Sequence, residues 1–110
     1  MTEKNFFDLL KKKFIHLKSD KLNIKQDVDC ADKKITRAEL KDYAEALTSN
    51  ATSGTAATID LESSNVYEVT LTDNCTFTFS NPPASGSVGS FTLILKQDGT
   101  GSRSVTWPAS

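Results

Sequence analysis

Histidine occurs once in the 110 residues, cysteine and tyrosine twice, proline three times, and methionine and tryptophan once each. Each scarcity removes a class of function. His16 lies in a lysine-rich stretch, and a nucleophilic triad built on it would have to reach Cys75 in a region of quite different composition. Two cysteines and one histidine supply no zinc spacing, so no metal site is expected. Cys30 and Cys75 lie far apart in sequence, and two reduced thiols are the expectation. No apolar run approaches the ~20 residues of a membrane span. The opening MTEKNFFDLLKKKF lacks the apolar core and small-residue cleavage site of a signal peptide.

Net charge is also small, −1 over the chain, so no global field favours nucleic acid or a membrane surface. The distribution is uneven. Residues 1–47 carry a net +2 and the remainder −3, with charge density dropping near Thr48. That break suggests an assembly element over 1–47, a polar linker over 48–57 (TSNATSGTAA) and a β domain over 58–110. Lys11, Lys12 and Lys13 sit among Glu3 and Asp8 without interleaved aromatics, so a solvated face is expected, with no nucleic-acid partner.

Phe6, Leu10, Phe14 and Leu17 follow the spacing of one helical face, with Phe7 beside them, and predict a helix over 5–17. So short a helix is marginal alone, so these five side chains are the candidate docking residues. Thr36-Arg37-Ala38-Glu39 has the form of a capping box, with Ile35 and Leu40 placed as a hydrophobic staple. Leu40, Tyr43, Ala44 and Leu47 continue it, predicting a second helix over 37–47. Asp27, Asp29 and Asp32 superficially match a calcium loop. The region lacks the mid-loop glycine, and Asp27 to Glu39 overshoots the loop of about twelve residues, so solvated carboxylates are expected.

From residue 58 onward a period of two takes over. Ile59 and Leu61 form one pair, and Tyr67, Val69 and Leu71 a triplet. Cys75, Phe77 and Phe79 follow, then Phe91, Leu93 and Leu95, and finally Val105 and Trp107. Turn residues separate the runs, notably NPPASGSVG and Gln97-Asp98-Gly99-Thr100-Gly101. The expected fold is therefore α+β. Amphipathic helices lead into a small antiparallel β-meander or sandwich, and its small core calls for completion by oligomerisation.

The stretch VYEVTLTDNCTFTFSNPPASGSVGSFTLILKQDGTGSRSVTWPAS resembles a β module of bacteriophage tail fibres and related virion proteins. The resemblance covers residues 58–110, and FTLILKQDGTG followed by VTWP is its most specific part. It implies a structural virion component that docks on other tail or baseplate proteins, commonly as a homotrimer, and is made in the bacterial host cytoplasm. In that family the Trp-Pro motif normally leads into further chain. Here Ser110 follows shortly, leaving either a longer fibre or completion by neighbouring copies.

Catalytic residues and cofactors are not expected. Asp60, Glu62 and Glu68 are the carboxylates available to pair as in a glycosidase, and they fall on sheet positions without an evident cleft. Two rival readings stand beside the tail-fibre one. The first is a capsid decoration or head-fibre protein. The second is a carbohydrate-binding module contacting a host-surface glycan through Tyr67, Asp98 and Trp107, although alternation with Val105 predicts that Trp107 is buried.

Overall fold

The computed structural model describes residues 24–109, which divide into two units with the boundary between Glu39 and Leu40. In the first unit, residues 24–39 form no helix or strand, and their side chains are exposed. Asp29 Oδ1 accepts from Ala31 N at 2.8 Å, a local turn at the position of the acidic loop. The helix predicted over 5–17, with Phe6, Phe7, Leu10, Phe14 and Leu17, lies outside the described residues.

The second unit holds six strands: β1 Leu47–Asn50, β2 Ala56–Asp60, β3 Val66–Leu71, β4 Cys75–Ser80, β5 Thr92–Gln97 and β6 Val105–Thr106. They form two three-stranded sheets, β1-β3-β5 and β2-β4-β6, and every pairing is parallel. The chain thus winds as three rungs, β1–β2, β3–β4 and β5–β6, each contributing one strand to each sheet. This is a short parallel β-solenoid.

The α+β, antiparallel expectation is corrected on both counts. The described residues contain no helix. Arg37 (φ 58°) and Asp42 (φ 57°) stand in the left-handed region, which a right-handed helix over 37–47 cannot contain. The capping box is only local. Leu40 and Tyr43 remain exposed, so the helix would have had no partner for its apolar face, and at eleven residues it is too short to persist without one. Its end is taken by the sheet instead: Ala46 O accepts from Asn65 N (3.1 Å) and Val66 N (3.0 Å), and Leu47 pairs with Val66. The stretch read as a linker contains most of β1 and the first two residues of β2.

Parallel pairing follows from how the links are used. A parallel neighbour normally needs a crossover of about a dozen residues or more. Here the crossover is a strand of the opposite sheet with its two short links, as residues 51–65 carry the chain from β1 through β2 to β3. Left-handed backbone at Gly54 (φ 62°), Asn81 (φ 53°) and Gly101 (φ 71°) marks turns after β1, β4 and β5. Corners also stack on one another. Ser53, itself buried, donates from N to Thr70 O (3.0 Å), and its Oγ accepts from Thr72 N (3.2 Å). One level on, Asn74 Oδ1 accepts from Ser104 N at 2.9 Å.

The core lies between the sheets, where partners in register form columns. Buried are Ala57, Ile59, Tyr67, Val69, Leu71, Cys75 and Phe77, with Leu61, Phe79, Leu93 and Val105 packed against them. The middle rung contributes most of the completely enclosed side chains because only it has a rung on each side. On the outward faces Thr58 and Thr78 hydroxyls meet at 2.9 Å, and Lys96 pairs with Glu68 at 2.7 Å.

Candidate functional site

The last rung is covered on one side only. Leu93 and Leu95 lie in register on Tyr67 and Val69, and Val105 on Cys75. The Trp107 ring stacks on Phe77, with centroids 5.6 Å apart and planes 26° from parallel. Phe91 meets Tyr67 edge-on at 5.8 Å and Phe79 at 5.5 Å. Phe91, Leu95 and Trp107 each touch the middle rung with one side and turn the other to solvent, being 39%, 37% and 54% exposed. The burial that alternation predicts for Trp107 is therefore not reached; the ring lies in the inward column but at the open end of the stack. β5 and β6 have no strand beyond them among the described residues, leaving free peptide groups beside an apolar surface.

The link that closes this rung is tightly tied. Arg103 donates from Nε to Asp98 Oδ1 (3.2 Å) and from Nη2 to Asp98 Oδ2 (3.0 Å), a bidentate pair. Gly101 N donates to Asp98 Oδ1 at 3.0 Å. Gln97 exchanges two 2.9 Å bonds with the Arg103 backbone: Nε2 donates to the carbonyl and Oε1 accepts from the amide. A side chain thus stands in for a strand partner at the end of β5.

Arg103 beside Asp98 holds the Asp98 carboxyl below its ordinary range, aided by the Gly101 amide. Asp60 is likewise lowered, first by Asn81, whose Nδ2 donates to it at 2.9 Å, and then by the Glu62 amide. Groups with a depressed folded pKa stabilise fully above their unfolded value, about 3.9 for Asp, and lose that contribution as pH falls through the folded pKa. Thermal melting followed by circular dichroism is therefore expected to be flat from pH 7 to about pH 5 and to decline below about pH 4. Asp98→Asn should flatten the acid limb, and an unchanged limb would show that the clasp does not couple to folding.

At the opposite end, the first rung is polar where the last is apolar. Thr48 and Asn50 stand in register over Tyr67 and Val69 and are exposed. Between β1 and β2 lies a recess of about 110 Å³, floored by Ile59, Tyr67 and Val69 and rimmed by Thr48, Asn50 and Ser63.

The three glycan candidates do not converge as expected. Tyr67 is interior, and its hydroxyl accepts from Ser64 N (3.1 Å) and lies against the carbonyls of Ser64 (2.7 Å) and Asp60. Asp98 is engaged by Arg103, and Trp107 alone of the three presents an open face. Among the carboxylates, Asp60 caps the turn to Glu62, whereas Glu68 pairs with Lys96 on the outward face of the other sheet. His16 and the five docking residues lie outside the described residues. Sequence patterns do not single out Arg103, or Phe91 and Leu95 as surface groups. Their roles depend on which rung they terminate, and no local pattern carries that.

A stack of parallel rungs whose side chains are committed to columns, corners and clasps defines a structural β-solenoid module. The chain belongs to the family described as "Putative phage tail fibre C-terminal domain", whose model matches residues 46–110. The matched region begins one residue before β1 and contains all six strands. Neither a curated protein nor a solved structure shows a match to the chain. The protein is thus a structural component of the phage virion tail, associated with other virion proteins. Among the described residues, no helix is long and apolar enough to cross a membrane.

Proposed function

We propose that this solenoid is a non-catalytic spacer of the tail fibre and that its last rung is an assembly surface. The observation that carries this reading is the apolar end formed by Phe91, Leu95 and Trp107, beside two strand edges unpaired among the described residues. A core with seven buried apolar side chains is small for a free-standing domain, and covering the last rung would enlarge it. The same reading assigns the apolar side chains of Phe6, Phe7, Leu10, Phe14 and Leu17 to docking on a neighbouring virion protein. A homotrimer is the copy number the resemblance implies.

Sedimentation velocity at micromolar concentrations tests it. The wild-type chain is expected to run as a multimer, and Trp107→Lys to shift it toward monomer while the chain still melts cooperatively. A wild-type monomer that melts at a temperature independent of protein concentration would overturn the assembly reading. Attachment to a host glycan is the second reading, favoured by the open Trp107 ring. Glycan-array binding that Trp107→Lys leaves intact would remove that ring from it.

A further inference from the structure

We infer that the surface covering the last rung is the first rung of a second copy of this chain, seated head to tail so that both sheets run on in the parallel sense. This rests on the last rung being an assembly surface and names its occupant. The first support is continuity with the contact already present between rungs. β5 lies on β3 as β3 lies on β1, in unbroken parallel register. The ladder at β5 is therefore open in the geometry that a further parallel strand would extend. Among the described residues β1 is the free edge at the other end, with all four of its residues exposed. Continued register sets Leu47, Thr48, Ser49 and Asn50 of the next copy over Thr92, Leu93, Ile94 and Leu95.

Shape and charge agree. The last rung presents Leu95 and Trp107 exposed beside the partly buried Leu93, whereas the first rung offers the recess of about 110 Å³ floored by Ile59, Tyr67 and Val69. Trp107 would meet Ala57, the smallest member of the column that runs through Phe77. The last rung's ions are already paired within the chain, Lys96 with Glu68 and Arg103 with Asp98, and β1 carries no charge. Asp60, at the end of β2, is the one charge in the first rung's strands; it lines the recess without a salt bridge among the described residues, and its Oδ1 accepts from Asn81 Nδ2 and Glu62 N. Two last rungs placed face to face would instead leave the recess unfilled, and the two-fold axis would demand antiparallel pairing of β5 with itself.

The strands at the two ends have two to six residues, about 7–20 Å each at about 3.3 Å per residue, so the end face falls well short of the ~800 Å² per partner of a standard interface. The contact is accordingly weak and concentration-dependent. It is heterologous, so repetition gives an open stack, not a closed ring.

Cysteine trapping reads this directly. Leu47→Cys and Thr92→Cys are made in separate full-length chains, each with Cys30→Ser to remove the exposed native thiol. Both positions are exposed, and both pair with Val66 from opposite sides. The stack would set them one strand spacing apart, about 4.8 Å, within the Cα range that disulfides tolerate. When the two chains are mixed and oxidised, the product joining the Leu47→Cys chain to the Thr92→Cys chain is expected to dominate. A chain carrying both substitutions should give a ladder of dimers, trimers and higher species.

Thr92→Cys homodimers in excess of the mixed product would mean that the ends meet face to face, which overturns the inference. So would absence of mixed product while the wild type still sediments as a multimer, an outcome that leaves the broader assembly reading standing. A wild-type monomer removes both. Hydrogen exchange on the unmodified chain is the second measurement, should the cysteine chains misfold. Amide protection in β1 and β5 should rise together with concentration, and a rise confined to β5 would overturn head-to-tail seating.

Discussion

Phe77→Ala is expected to cost about 3–5 kcal/mol, read from chemical denaturation at neutral pH with little change in slope. Phe77 is 0% exposed in the middle rung, in register with Ala57 on one side and stacked on Trp107 on the other. Truncation removes the ring's transfer energy and leaves a void that two sheets held at fixed spacing cannot close. Domains of this size hold about 5–15 kcal/mol in total, so the loss approaches the whole of the module's stability. The single tryptophan makes the experiment self-reporting: Trp107 loses the ring it stacks on, and its emission should shift with the destabilisation. A cost below about 1 kcal/mol would contradict the central position of Phe77.

Tyr67→Phe is expected to cost about 1–3 kcal/mol while leaving the ring packing untouched. The Tyr67 hydroxyl ties the turn between β2 and β3 from inside, bonded at Ser64 N and set against the carbonyls of Asp60 and Ser64. Phenylalanine keeps the edge-on contact with Phe91 but strands those backbone groups in a half-buried corner. Exchange of the Ser64 amide should accelerate more than that of the β4 amides. Uniform acceleration would show that the hydroxyl acts on global stability alone. Tyr67→Ala should cost more than Tyr67→Phe, and the difference isolates the packing share.

Both substitutions act on side chains whose inward placement is legible in the sequence. Alternation puts Ile59, Tyr67, Val69, Leu71, Cys75 and Phe77 in one inward set, and all are buried. Alternation reports which side of a strand faces the core, and it is identical for parallel and antiparallel neighbours. It cannot reveal that each short link passes the chain to the other sheet. The capping box fails for a related reason. Thr36 to Glu39 satisfies every local requirement for starting a helix, but a helix there would have nothing to pack on, while Leu47 has a strand partner in Val66 nineteen residues away. The glycan candidates, two aromatics and a turn acid, disperse likewise, because exposure is a property of the stack.

By itself, the order of residues determined five of the six strand-forming segments (β1, read as helix end and linker, is the exception), the face each of those turns inward, the main turns between them and the kinship with tail-fibre proteins. Those depend on neighbours within a few positions, where steric and hydrophobic preferences act directly. The tertiary structure alone decided the parallel sense, the irregular chain in place of the second helix with only Leu47 drawn into a strand, and the difference between a polar first end and an apolar last one. These follow from pairings across nineteen to thirty residues, whose energies exist only once the chain has wound on itself.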